Sequence, residues 1–485
     1  MAKSNTKSYV LTLPLKTERW QEHVLEKRFE IARKLYNACL RECLKRYKKL
    51  QHDREYKQGI QQPTSKEKNK ILTELYRSYG ISEYAMHDFI KPMRSPFKKH
   101  IDSNTAQKIA TRAWLAFEKL VCGDAKQVYF KKHNEMDSVE GKSNDTGIRF
   151  KDGHLLWNGL SIPVIIRKND IYASIALQDR VKYCRILRKR IRGKIKYYIQ
   201  LVLEGIPPKK ANKETGEIKY PLGQGDVGID IGTQTIAVCS SRDVKLLVLA
   251  PSVENMEKQK RLLLRKLDRQ RRANNPYKYN EDGTIKKDNN EKWMWSKNYI
   301  KTRNELVELQ RKMADKRKQD HHRLANWMLT LGDCFKVETM NFKALQKRAK
   351  ETKVDVNGKC KKKKRFGKSI ANRAPSLFLS ILNQKLQYEN RTLHFIDTMR
   401  VKASQYDHQN DEYNKKTLSQ RWHKIDGRKV QRDLYSAFLI MNVRDNLKEI
   451  DRQKCLERWS HFICLHDKEI ECLKSANQLV GSMGV

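Results

Sequence analysis

Asp226-Val227-Gly228-Ile229-Asp230-Ile231-Gly232-Thr233-Gln234-Thr235-Ile236-Ala237-Val238 is the stretch that decides the fold. Val227, Ile229 and Ile231 alternate with Gly228, Asp230 and Gly232, the two-residue period of a β-strand. The apolar set faces a core, and the other face carries one carboxylate between two glycines. Glycines there leave room for a bulky charged group, a metal ion or a phosphate backbone, to come close. Thr233-Gln234 predicts a turn, Thr235 to Ser240 a returning strand, and Val244 to Ala250 a third. The motif by itself leaves two readings of Asp230 open: a functional carboxylate at mid-strand, or a strand-end aspartate satisfied by the next turn.

Working outward toward the C-terminus, Glu257 to Arg272 and Asn298 to Leu329 have helical periodicity, and Asn274 to Lys292 between them reads as a polar loop. Leu306, Leu309 and Met313 fall where a partner helix would pack. Cys334-Phe335-Lys336-Val337-Glu338 predicts a buried strand ending in a carboxylate. Ala374 to Glu389 predicts a helix, and Leu393 to Asp397 a further strand. A polar segment runs to Gly427, and Val430 to Leu439 then predicts a helix with Asp433 near its start. Helix dipoles favour acids in first turns, so that position alone assigns Asp433 no role.

Toward the N-terminus, Tyr9 to Pro14 is strand-like, and Glu18 to Leu50 predicts a long helix. Leu25, Phe29, Ala32, Tyr36, Cys39, Cys43 and Leu50 form its apolar stripe, with both cysteines in the core. Its other face carries Arg33, Lys34, Arg41, Lys45 and Arg46, which suit a phosphate backbone. Helical patterns follow at Ser65 to Tyr79, Ser82 to Met93 and Ser103 to Val121, the last with Ser103 as N-cap. From Lys126 to Leu203 short strands alternate with turns such as Lys151-Asp152-Gly153 and Arg192-Gly193-Lys194. They predict a small antiparallel barrel or sandwich, completed by the N-terminal strand and interrupted by the helices. Residues 206–224 read as a linker.

Lys and Arg number 102 against 56 Asp and Glu, a formal charge of +46. The basic residues run the whole length, which points to a polyanionic partner rather than to one basic tail. The densest run is Lys361-Lys362-Lys363-Lys364-Arg365. Met1 to Ser8 is polar, no run of 18 apolar residues occurs, and no lipidation motif is present. The ten cysteines include no CxxC pair. The expectation is a soluble cytoplasmic protein in a reducing compartment, with no membrane partner.

Asp230, Glu338 and Asp433 thus stand in order, each at a strand or helix edge. Phosphodiester hydrolysis by two Mg²⁺ ions uses such a set, because hard oxygen ligands neutralise the ions and bridge them roughly 3.5–4 Å apart. The three segments resemble the RuvC-like, RNase H-like catalytic motifs of TnpB, the transposon-associated RNA-guided nuclease, and of the related compact type V CRISPR effectors. Val227-Gly228-Ile229-Asp230-Ile231-Gly232 resembles the first motif, Val337-Glu338-Thr339-Met340-Asn341-Phe342 the second, and Arg432-Asp433-Leu434-Tyr435-Ser436-Ala437 the third. The basic helix around Arg317 to Ala325 and the segment Phe366 to Ile370 fit the same pattern. The resemblance covers residues 225–440, and the N-terminal half matches in layout.

What it implies is an α+β multidomain protein: a RuvC-like nuclease domain plus an antiparallel β-barrel with a helical insertion. The boundaries would be a barrel at 1–16 and 125–220, a helical recognition insertion at 17–124, and a nuclease domain at 221–400. A degenerate zinc-ribbon-like segment at 401–428 and the third motif with C-terminal helices at 429–485 would follow. The family carries a four-cysteine zinc ribbon before its third motif. Here no cysteine lies between Cys360 and Cys455, so no structural zinc is expected. Asp407, His408 and His423 are the substitute candidates, against a remnant held by packing of Tyr406, Tyr413 and Trp422. Cys455, His461, Cys464, His466 and Cys472 lack ligand spacing and read as helix-face residues. Implied partners are a guide RNA, target double-stranded DNA and its displaced single strand, with a monomer or homodimer per guide. The implied cofactor is Mg²⁺, for which Mn²⁺ could substitute.

Three other readings compete. Asp230-Ile231-Gly232-Thr233 resembles the first phosphate loop of the actin–hexokinase class, but the further glycine-rich loops of that fold are missing from this 21-glycine chain. A nuclease-silent RNA-guided repressor would have no use for all three carboxylates. A guide-independent resolvase would leave the long N-terminal half without a task.

Overall fold

The computed structural model describes residues 6–212, 214–286, 288–347, 366–415, 417, 420–475 and 483. They divide into two units, Met1–Pro208 and Lys209–Val485. The run Lys361, Lys362, Lys363, Lys364 and Arg365 lies outside the described residues.

In the first unit, strand β1 (Ser8–Pro14) alternates buried Tyr9, Leu11 and Leu13 with exposed residues. Helix α1 (Arg19–Leu50) starts at a capping box, in which Gln21 accepts from the Glu18 backbone N–H at 2.9 Å. Its stripe from Leu25 to Leu50 is buried, Cys39 and Cys43 included. Helices α2 (Arg54–Gln61), α3 (Lys66–Ser78), α4 (Glu83–Arg94) and α5 (Ser103–Val121) follow, and α5 packs on both α1 and α4. The N-cap of α5 is Asp102 rather than Ser103. Its carboxylate accepts from Thr105 N at 2.8 Å, Thr105 Oγ1 at 2.6 Å and the buried Trp157 Nε1 at 3.0 Å, a set no serine can serve.

Strands β2 (Ser138–Glu140), β3 (Arg149–Lys151), β4 (His154–Trp157) and β5 (Leu160–Pro163), the short helix α6 (Ile171–Ala176), and strands β6 (Val181–Ile191) and β7 (Lys194–Glu204) complete the unit. Arg192 and Gly193, at φ of 50° and 79°, turn the β6–β7 hairpin. The expected closed barrel does not form among the described residues. One antiparallel sheet has the order β1-β7-β6-β2 and a second the order β3-β4-β5. They meet through a bridge between Leu15 and Val164 and where β3 lies against β6. The short strands β2 and β3, three residues each, offer too few ladder positions to seal the far side.

The second unit is built on a five-stranded mixed sheet. Strands β8 (Asp226–Ile231), β9 (Thr235–Ser240) and β10 (Val244–Val248) form an antiparallel meander. Helices α7 (Glu254–Asn274) and α8 (Lys297–Leu329) pair as a hairpin. Strand β11 (Cys334–Glu338) then runs parallel to β8. Helices α9 (Phe342–Leu345), α10 (Gly367–Arg373) and α11 (Pro375–Tyr388) precede strand β12 (Leu393–Ile396), parallel to β11. The order is β10-β9-β8-β11-β12.

Helix α12 (Thr398–Val401) leads into two small hairpins, β13 (Tyr406–Asp407) with β14 (Glu412–Tyr413) and β15 (Trp422–Ile425) with β16 (Arg428–Gln431). Strand β16 passes directly into helix α13 (Arg432–Met441), and helix α14 (Arg452–Ser475) follows. Val430 therefore ends a strand instead of starting a helix.

Period-two alternation gives the sheet two apolar faces. Val227, Ile229, Ile231, Phe335 and Val337 bury against α8 and α11. Ala237, Cys239, Val244 and Leu246 bury against α13 and α14. Gly228 lies on the second face, where a Cβ would fall on the Ala437 carbonyl oxygen and the Met441 backbone nitrogen. The room this glycine leaves is filled by α13, not by a ligand. At the sheet edge, buried Glu469 of α14 accepts from Leu246 N at 3.0 Å and Lys245 Nζ at 2.7 Å, covering β10.

Candidate active site

Parallel register sets the first two carboxylates side by side. Val337 pairs with Ile229, and Glu338 follows Val337 as Asp230 follows Ile229. Both therefore leave the same sheet face at the same level, on strands about 4.8 Å apart. On its other side Asp230 pairs with Ala237, which is buried beneath α13.

Helix α13 brings the third. Its backbone crosses Gly228 at Ala437 and Met441, so its N-terminal end lies toward Asp230, where Asp433 is the second residue. Both helix ends are fixed. Gln431 caps the first turn by accepting from Leu434 N at 2.9 Å, and its amide donates to Met483 O at 3.0 Å. His466 Nε2 accepts from Gln431 N at 3.0 Å. At the far end Lys336, 3% exposed, donates to Val443 O at 2.6 Å and pairs with Asp226 at 3.2 Å. A buried cation on the last carbonyls suits the helix dipole.

Asp230, Glu338 and Asp433 are each half-buried. Burial pushes all three carboxyls above the ordinary range. Asp230 is raised furthest, because Glu338 and Asp433 repel its charge in addition. Arg432 and Arg421 work in the opposite direction. Arg421 Nη1 lies 3.6 Å from Asp433 Oδ2, and Arg432 Nη1 donates to Thr417 O at 3.3 Å. Arg432 stands inside the third motif, whose sequence reading gives it no role of its own. Arg421 immediately precedes β15, in the segment whose sequence reads only as polar, where buried His423 and Ile425 alternate with Trp422 and Lys424.

Three clustered carboxylates are an all-oxygen donor set, and their repulsion supplies a reason to take up a hard divalent cation. As the side chains stand, no three His, Cys, Asp or Glu among the described residues converge closely enough to hold a metal ion. That applies to the triad and to Asp407, His408 and His423 alike. His408 is buried within an aromatic cluster of Tyr435, Phe438 and Trp459, with Nδ1 2.7 Å from the Tyr435 hydroxyl. Tyr406 and Tyr413 pack at 4.9 Å across β13–β14, and Trp422 meets His466 edge-on. Cys455, His461, Cys464, His466 and Cys472 all lie on α14.

On α1, Lys34, Arg41 and Lys45 are exposed along one stripe. Arg33 and Arg46 are engaged internally: Arg33 with Glu30 at 2.6 Å and Lys131 O at 2.9 Å, Arg46 with Glu42 at 2.9 Å and Gly80 O at 2.7 Å. A cavity of about 940 Å³ lies elsewhere, lined by Ile285 and by polar residues between Asn280 and Glu291. No helix among the described residues is long and apolar enough to cross a membrane.

No protein-family model and no curated protein sequence matches the chain. Among solved structures, a cryo-EM structure of a Cas12f1–sgRNA–target DNA complex aligns over 90% of this chain and 99% of its own, at 10% identity and a TM-score of 0.44. A CRISPR-Cas12f ternary complex aligns over 88% of this chain and 82% of its own, at 11% identity and a TM-score of 0.27.

Proposed function

We propose that this chain is an RNA-guided DNA endonuclease with a RuvC-like site formed by Asp230, Glu338 and Asp433. The observation that carries the proposal is that three sequence-distant acids come within electrostatic reach of one another over one sheet face, two on its strands and one on the helix above them. Asp230 and Glu338 are level on adjacent parallel strands, and Asp433 sits at the N-terminus of the helix laid over them. An antiparallel meander extended by two parallel strands, with a carboxylate inside its first strand, supports the RNase H-like assignment. The three motifs and the +46 charge support a partner set of guide RNA and target DNA.

In this reading Asp230, Glu338 and Asp433 hold Mg²⁺, which when bound activates a water and stabilises the leaving 3′ oxygen. The protein's own part is positional. β8 and β11 fix the first two acids by register, and Gln431 and Lys336 fix the third by pinning α13 at both ends. Arg421 and Arg432 hold down the repulsion between the acids and are placed to meet a phosphate oxygen. Domain roles follow the sequence assignment, with the first unit gripping RNA and the flanking motif.

The test is to purify the protein with its native flanking DNA, sequence the bound RNA, and challenge the complex with a matching duplex and Mg²⁺. A discrete bound RNA and cutting of the matched duplex are expected. One observation favours a second reading, a nuclease-silent guided binder: Arg421 already faces Asp433 at 3.6 Å. That reading predicts RNA and tight target binding with no cutting at any divalent ion.

A further inference from the structure

The segment between α7 and α8 is polar in composition, yet its described residues gather around Asn275 and Lys278, both buried. Asn275 clamps the backbone of Met294 from both sides, accepting from Met294 N at 2.6 Å and donating to Met294 O at 3.0 Å. Lys278 Nζ donates to Asn289 O at 2.9 Å and to its side-chain oxygen at 3.0 Å. This clamp sets the two tryptophans flanking Met294.

Trp293 and Trp295 stack at 5.8 Å and 11°, and Trp295 stacks on Tyr299 at 4.5 Å and 24°. Cations close one end of this ladder, with Arg271 5.7 Å and Lys278 5.6 Å from the Trp293 ring. Large apolar side chains at the tip nonetheless remain in water: Met294 is 62% exposed and Trp295 45%. Folding alone gives no reason to hold an indole in that position with a two-sided backbone clamp.

The surroundings are basic. α7 buries none of its residues and carries eight Lys or Arg against three Asp or Glu. Lys292, Lys297 and Lys301 are exposed beside the ladder at the start of α8. The loop's acids are Glu281, Asp282, Asp288 and Glu291, of which Asp282 is engaged by Thr284 at 2.7 Å.

We propose that the Trp293–Trp295–Tyr299 ladder is a stacking platform for an unpaired nucleobase of a single strand, with the flanking lysines on its phosphates. Aromatic faces take any base, which suits a sequence-tolerant contact, and a preformed ladder loses little freedom on binding. The proposal rests only on the nucleic-acid-binding part of the function proposed above. It needs no cleavage, so an inert carboxylate triad leaves it standing.

The test is photo-crosslinking of the full-length protein to a single-stranded 20-mer bearing one 5-iodouracil, in DNA and RNA versions, with peptide mapping. Crosslinks at Trp293, Trp295 or Tyr299 are expected, and the version that gives them identifies the strand. Trp295→Ala, which breaks the ladder at its middle ring, should weaken binding of that strand about 5- to 150-fold, the range for one lost stacked base, while Trp295→Phe should retain most of it. Crosslinks confined to other segments in wild-type protein would overturn the proposal, whether or not the alanine variant folds. So would unchanged affinity in Trp295→Ala accompanied by a change in oligomeric mass, which would make the ladder a protein contact.

Discussion

Asp230 gains its chemistry from what surrounds it. One aspartate on a strand is ordinary; one held level with Glu338 and under Asp433, in a half-buried site, resists ionisation unless a cation arrives. Replacing it by asparagine removes that repulsion, so Asp230→Asn should melt no lower than wild type. Its cleavage should fall by about 100-fold or more, since loss of an outer-shell partner alone costs metal sites 10–100-fold. Calorimetry beside a cleavage assay checks both parts. Buried and half-buried histidines work against stability in acid, His408 and His322 alike. His408 is neutral because burial holds its pKa near about 4, against an ordinary value of about 6.5. The unfolded chain takes up that proton first as pH falls, so stability present above about pH 6.5 is lost progressively toward pH 4. The loss from this residue is about 3 kcal/mol. Urea unfolding at pH 7 and pH 4.5 should show the drop, and His408→Gln should lessen it, with His322 supplying a further part. At this scale the three acids were legible because strand pattern and motif agree. Gly228 was misread because a sequence does not say whether a helix or a ligand fills the space of a missing Cβ.

Helix α13 is the element on which the site depends. Its backbone lies directly on Gly228, so Gly228→Ala forces helix and sheet apart. Such overpacking costs about 1–3 kcal/mol, and this case belongs at the upper end because both obstructing atoms are backbone. Denaturant titration should show that loss, with cleavage falling further than stability because Asp433 moves with the helix. The strands flanking the site were readable to within a residue or two: Cys334–Glu338 has the expected bounds, and β10 ends at Val248 rather than Ala250. The β16–α13 junction was not, because no loop separates them and Val430 fits both an alternating and a helical apolar pattern. The hairpins at 406–431 were missed for a related reason. Two-residue strands such as β13 and β14 are held by tertiary contacts like the Tyr406–Tyr413 pair and carry too little local pattern to register.

For the molecule as a whole, charge dominates. At +46, binding to any nucleic acid should release many counterions. If 6–10 phosphates are contacted, affinity should fall by about 10³–10⁵ between 50 and 200 mM salt. Filter binding across that range checks it, and a flat response would remove the polyanion argument. The α+β character and the mixed sheet of the second unit were legible from length, periodicity and motif order. The barrel was not, because sheet closure depends on the ladder lengths of β2 and β3, which turn signals do not specify. The central claim is that three carboxylates on one sheet face cut DNA chosen by a bound RNA. Its most direct test is cleavage of a duplex matching the co-purified RNA, by wild type and Asp230→Ala side by side in Mg²⁺. The account predicts cutting by the wild type alone, with equal RNA content and equal target binding in both proteins. Full-rate cutting by the variant, or a wild type that holds no RNA, would contradict it.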